Sequence, residues 1–143
     1  MRSPETRKEE CTLSLRVTMQ HGQKAIINGA ILRFDGVARF SVENHASVLS
    51  GDMVMESEAE ATTPAKRLYW AIQTAYTARS PADAYEALDG IGGLAAEISR
   101  SPSKELAVRI SKVLTDVGAK DFYPALRRVK YLIDHEGVLS HMA

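Results

Sequence analysis

Five basic residues stand where they could hold an anion. Lys24, Arg33 and Arg39 fall in a run of alternating apolar and polar residues, and Lys66 and Arg67 follow a threonine-proline pair. Arginine offers a planar fork of donors and lysine a compact charge, and both suit phosphate oxygens. RNA phosphate is a fitting anion, and such contacts position a backbone without reading its bases. The plainer account is that these charges solvate a surface. No other chemistry has comparable support. His21, His45, His135 and His141 show no ligand spacing with one another or with Cys11, so no metal is expected. His135 closes a helical run, where the helix dipole explains a histidine. Gly90, Gly92 and Gly93 sit inside an apolar helical pattern and not after a strand, which excludes a phosphate loop. No cofactor is expected, and the chain is not expected to be an enzyme.

The elements that position these residues change character at Glu60–Tyr76: strands and tight turns precede it, and helices follow. Residues 12–19 alternate, with Leu13, Leu15 and Val17 on one side and Ser14, Arg16 and Thr18 on the other, as in a half-buried strand. Lys24–Ile27, Ala30–Phe34 and Val37–Glu43 are further strand-like runs, separated by Asn28-Gly29 and Asp35-Gly36. Those dipeptides tolerate the positive φ of a type I′ hairpin turn. The expectation is an antiparallel meander of at least four strands, with short additions at Ala46–Leu49 and Met53–Met55. A two-residue loop at Asn28-Gly29 puts Ile27 opposite Ala30, Ile26 opposite Ile31 and Lys24 opposite Arg33. Like charges facing each other are unfavourable unless both splay into solvent, an acid such as Glu43 lies near, or an anion binds. The second hairpin would set Ile31 opposite Phe40 and Leu32 opposite Arg39, leaving Arg39 on the face away from Arg33.

Three helices should begin alike, at Thr63-Pro64, Ser80-Pro81 and Ser101-Pro102, each pairing a capping hydroxyl with a proline in the first turn. The first buries Ala65, Leu68, Tyr69, Ile72, Ala75 and Tyr76, leaving Lys66, Trp70, Gln73 and Thr77 on another face. Trp70 is either packed against a neighbouring element or a partner surface. The second carries Tyr85, Leu88, Ile91, Leu94 or Ala95, and Ile98 inward, and Gly92-Gly93 marks a close crossing or a break. The third packs Leu106, Ile110, Val113, Leu114 and Val117 and ends at Gly118. A last helix is capped by Asp121, buries Phe122, Ala125, Leu126, Val129, Leu132 and Ile133, and stops at Gly137. Its other face holds Arg127, Arg128 and Lys130.

The expected fold is α+β: an antiparallel β domain at 12–57, an acidic linker and cap at 58–63, and about four helices at 64–143, after a tail at 1–11. Asp52, Glu56, Glu58 and Glu60 suit the positive end of the first helix. Lys plus Arg equals Asp plus Glu at 18 each, so net charge offers no pull toward a polyanion and any such surface must be local. A single cysteine excludes an intramolecular disulfide and suits a reducing cytosol. No apolar run approaches a membrane span and the N-terminus lacks an apolar signal core, so a cytoplasmic protein without membrane contact is expected.

The run Glu60–Tyr69 (EATTPAKRLY), with Ile27-Asn28-Gly29-Ala30, Glu43-Asn44, Ala46-Ser47-Val48-Leu49 and Tyr131-Leu132-Ile133-Asp134, resembles the flagellar-biosynthesis repressor family FlbT across residues 13–136. The resemblance implies a post-transcriptional regulator that binds the 5′ untranslated region of flagellin mRNA and lowers its translation or lifetime, working beside FlaF, a second small flagellar protein. The chain departs from the family at Ser50-Gly51-Asp52 and at Met19–Gln23, where charged turns are usual, and both changes remove charge. RNA contact is expected at Lys24, Arg33, Arg39, Lys66 and Arg67, with backbone N–H groups at the helix start adding to it. RNA-binding sheets expose aromatics for stacking, so a buried Phe34 and Phe40 would count against base recognition. The alternative is a protein-interaction adaptor or chaperone for flagellin or a FlaF-type partner, through Trp70, Tyr76, Arg127 or Arg128, without direct RNA contact. Self-association through β edges is a third expectation.

Overall fold

A computed structural model describes residues 15–135, so the expected tail, Cys11, residues 12–14 and Gly137 lie outside the described part. The chain divides between Val54 and Met55 into two compact units. The architecture is α+β, with antiparallel strands first and helices after them.

In the first unit, β1 (Leu15–Met19) pairs with β4 (Ala38–Val42), and β2 (Lys24–Ile27) lies between β3 (Ala30–Arg33) and β5 (Val48–Ser50). Alternation explains β1: Val17 and Met19 are buried while Arg16 and Thr18 are exposed. The first hairpin has the expected register, with Ile27 opposite Ala30, Ile26 opposite Ile31 and Lys24 opposite Arg33. Asn28 at φ 51° and Gly29 at φ 86° supply the two positive angles of a type I′ turn. The turn is also tied outward: Asn28 N donates to Ser47 O at 2.8 Å, and Ser47 N donates to Asn28 Oδ1 at 2.9 Å.

The four-strand meander does not form. Phe34 N donates to Gln23 O at 3.0 Å and Gly22 N donates to Phe34 O at 2.7 Å, so the β2–β3 hairpin extends through Phe34 and then crosses to the other sheet. Asp35-Gly36 is therefore not a hairpin turn. Neither residue has the positive φ that a type I′ turn needs. Phe40 faces Val17 and Arg39 faces Thr18, in place of Ile31 and Leu32. The crossing closes a small core between the sheets. Val17, Met19 and Ala25 are packed by Ile27, Phe34 and Phe40, with the two phenylalanine rings stacked at 5.9 Å and 7°. The further strand expected at Met53–Met55 does not form: Met53 ends a short 3-10 turn (Gly51–Met53), and Val54 and Met55 are outside any strand.

Among its described residues the second unit has five α-helices: α1 (Pro64–Tyr76), α2 (Pro81–Ala87), α3 (Ile91–Ser99), α4 (Lys104–Gly118) and α5 (Phe122–Asp134). Thr63 caps α1, its Oγ1 accepting from Lys66 N at 3.2 Å, and Ser80 Oγ caps α2 from Asp83 N at 3.1 Å. The third cap is Ser103, not Ser101: its buried Oγ accepts from Leu106 N at 3.3 Å, and Pro102 precedes it. Asp121 caps α5 in position only, with no side-chain bond. The expected second helix breaks at Leu88–Gly90, where Gly90 turns to φ 90°. Gly92 and Gly93 lie in the first turn of α3, and a Cβ on either would meet nothing within 4 Å, so no close crossing requires them.

Helix α1 is the hub, packing on α5, α3 and α2, while α4 packs on α5 and α3. Ala65, Leu68, Tyr69, Ile72 and Ala75 of α1 are buried with Leu106, Ile110, Val113 and Val117 of α4 and Ala125, Leu126, Val129 and Leu132 of α5. Each large member contributes about 1.5–3 kcal/mol by leaving water. Two residues expected inside are not: Leu114 is exposed, and Tyr85, on the short α2, is 83% exposed. Gln73, expected outside, is buried as a clamp. Its Nε2 donates to Met55 O and its Oε1 accepts from Met55 N, both at 2.8 Å.

Candidate nucleic-acid interface

The β1–β4 ribbon has one outward face. Arg16 lies opposite Ser41 and Thr18 opposite Arg39, and all four are exposed, while Val17 and Phe40 turn to the core. Arg16 and Arg39 are thus diagonal neighbours, with Cα atoms about 7–8 Å apart. Neither makes an ion pair among the described residues. Two guanidinium forks with two hydroxyls between them can hold neighbouring phosphates. Arg16 is absent from the sequence-derived candidates because the expected meander placed Arg39 beside Leu32. Its signal was the exposed slot of an alternating strand, but only the pairing of β1 with β4 brings it to Arg39.

Lys24 and Arg33 do meet, as direct cross-strand partners at the open end of the first hairpin. They belong to the other sheet from Arg39. Lys66 and Arg67 stand in the helical unit, at the start of α1. The backbone there has little left for a phosphate. Pro64 has no N–H, Lys66 N is bonded to Thr63 Oγ1, and Arg67 N is bonded to Thr63 O at 2.8 Å. Of the expected amide donors at this helix start, the cap and the first helical bond take up those of Lys66 and Arg67.

Phe34 and Phe40 are half-buried in the strand unit's core and stack on each other. The outward face of the ribbon, Arg16, Thr18, Arg39 and Ser41, carries no aromatic residue. The chemistry available there is phosphate contact, without aromatic stacking of bases.

The partner-binding candidates scatter over the helical unit. Half-buried Trp70 lines a groove of about 550 Å³ with Arg67, Ala71, Thr74, Ala87 and Leu94. Tyr76 tilts against Tyr123 at 6.4 Å. Arg127 is exposed, whereas Arg128 Nε donates to Asp116 Oδ2 at 2.7 Å and ties α5 to α4, so these two arginines do not act as one face. Lys130 pairs with Asp134 at 3.6 Å. His135 donates from Nδ1 to Tyr131 O at 2.8 Å, and Arg109 lies 4.1 Å over the Tyr131 ring. Among the described residues no cluster of histidine, cysteine or carboxylate side chains could hold a metal.

The family model for the flagellar protein FlbT matches residues 15–139. The chain belongs to the FlbT family. A protein of Caulobacter sp. (strain K31), named probable flagellum biosynthesis repressor protein FlbT, is 31% identical over 134 residues, which cover 87% of this chain and 94% of the relative. A Bradyrhizobium diazoefficiens relative, named probable flagellum biosynthesis repressor protein FlbT 2, is 27% identical over 123 residues, covering 85% and 88%. An FlbT protein of Brucella ovis is 35% identical over 60 residues, 42% of this chain and 39% of its own. No solved structure matches. The runs that carry the FlbT resemblance have structural jobs here: Ile27-Asn28-Gly29-Ala30 makes the type I′ turn, and Thr63-Pro64 makes the capped start of the hub helix.

Proposed function

We propose that the protein regulates flagellin synthesis after transcription, by binding the 5′ untranslated region of flagellin mRNA through phosphate contacts and lowering its translation or lifetime. Membership of the FlbT family and the names of its relatives support a regulatory role in flagellum biogenesis. The observation that carries direct RNA contact is the shared exposed face of Arg16, Thr18, Arg39 and Ser41 on the β1–β4 ribbon. Lys24 and Arg33 form a second, separate basic pair on the other sheet. Without aromatics on the ribbon's face, discrimination between transcripts rests on RNA shape and not on splayed bases.

The test is binding of the purified protein to the flagellin 5′ leader over a salt series, with an unrelated leader as control. Specific binding should weaken with salt, and Arg16→Ala/Arg39→Ala should flatten the log–log slope by about 1.4, at about 0.7 per lost single-strand phosphate contact. Equal affinity for both leaders at every salt concentration would remove direct recognition. The second reading is then favoured, an adaptor that holds flagellin or a FlaF-type partner, and the half-buried Trp70 in its groove supports it.

A further inference from the structure

A larger groove, of about 730 Å³, opens elsewhere in the helical unit, where the end of α1, the short α2, the start of α3 and the α4–α5 turn meet. Its floor is apolar: Ala78, Ala84, Leu88, Ile91, Val117 and Phe122. Its margins are positive. Arg79 and Lys120 are exposed on the lining and make no ion pair among the described residues, against one lining carboxylate, Asp89. Tyr85 stands on the wall, 83% exposed, a residue type that anchors interfaces when it is later covered.

We propose that this groove receives the apolar face of an acidic amphipathic helix from a partner protein. The occupant's chemistry follows from how the two kinds of lining are arranged. A small acid would call for a cation deep in the cavity, but here the floor is apolar and the cations sit on the exposed rim. That is the complement of a helix with an apolar stripe at i, i+3, i+4 and i+7 and carboxylates along its margins. One backbone feature bears on the charge of the rim. Lys120 holds a left-handed φ of 64°, at a helix end where glycine would sit without strain. The strained position thus places a cation on the rim that glycine could not supply. This surface goes beyond the RNA reading and shares no residue with the ribbon.

The test uses the full chain and a fluorescein-labelled amphipathic peptide of about sixteen residues, with leucines at i, i+3, i+4 and i+7 and glutamates on both margins. A counterpart carries lysines in place of the glutamates. The acidic peptide should bind at micromolar concentration and at least tenfold more tightly than the basic one. Arg79→Glu should cost it about tenfold, Ala84→Trp should fill the floor and abolish binding, and Lys112→Glu, outside the groove, should change nothing. Lys120→Gly should weaken binding several-fold while raising stability, so a loss in that variant cannot come from misfolding. Leader-RNA affinity should be the same in all groove variants. No saturable binding, equal affinity for the two peptides, indifference to Ala84→Trp, or displacement of the peptide by RNA or by a second copy of the chain would each overturn the proposal.

Discussion

Lys120 illustrates how much a single backbone angle decides. Asp121 N donates to Asp116 O at 2.8 Å and Lys120 N donates to Val117 O at 2.9 Å, the paired bonds of a Schellman end to α4. The residue at its turning point must be left-handed, which costs a side-chain-bearing residue about 1–2 kcal/mol. Lys120→Gly should therefore raise unfolding free energy by up to about 1 kcal/mol after glycine's own entropy cost, measured by urea denaturation. Sequence reasoning ended α4 at Gly118, which is its last residue, but the left-handed turning point falls two residues later, at Lys120, where no glycine marks it. Gln73 was equally hidden. A glutamine beside Trp70 on a helix reads as surface, and only the return of Met55 to α1 makes it a buried two-bond clamp. Gln73→Ala should cost about 1–3 kcal/mol, since it leaves a backbone donor and acceptor without partners. A midpoint in urea unchanged from the parent would refute the clamp.

Among the elements, what was legible followed from local rules, and what was missed depended on long-range pairing. Asn28-Gly29 dictates its own register, so the four cross-strand pairs of the first hairpin could be written from the sequence. Asp35-Gly36 looks the same on paper, yet the strand before it keeps bonding to Gln23 and the connection becomes a crossing. Ser-Pro and Thr-Pro starts were read well where proline is the first helical residue, at Pro64 and Pro81. The rule failed at Pro102 because Ser103 offers a second, buried hydroxyl one residue beyond. The basic site was half legible for the same reason: Lys24–Arg33 lies inside a local hairpin, whereas Arg16–Arg39 joins strands far apart in the chain. Arg33→Glu should turn the like-charge pair into an attractive one. Thermal unfolding should show a gain of about 0.2–1 kcal/mol, and RNA affinity should fall in the same variant. On α3, Gly93→Ala has open space around the new methyl group and should stabilise the helix by about 0.5–1 kcal/mol.

For the molecule as a whole, no described helix is long and apolar enough to cross a membrane. The exposed liability is the strand unit's edge. All four residues of β3 are exposed, Ile31 by 68%, and β3 borders its sheet. An open, apolar edge invites pairing with another chain. Ile31→Lys should delay heat-induced aggregation, followed by light scattering, with little change in the unfolding midpoint. The Asn28-Gly29 turn has a consequence for how the protein ages. Asparagine before glycine is the pair most prone to deamidation, because little hinders attack of the glycine amide nitrogen on the side-chain carbonyl carbon. Here that carbonyl is held by Ser47 N, and Asn28 N is engaged with Ser47 O, so the ring-closing geometry is withheld while the strands stay zipped. Chemical decay at this turn then becomes a clock for opening of the β2–β3–β5 sheet, running slowly in the native protein and fast whenever β5 lets go.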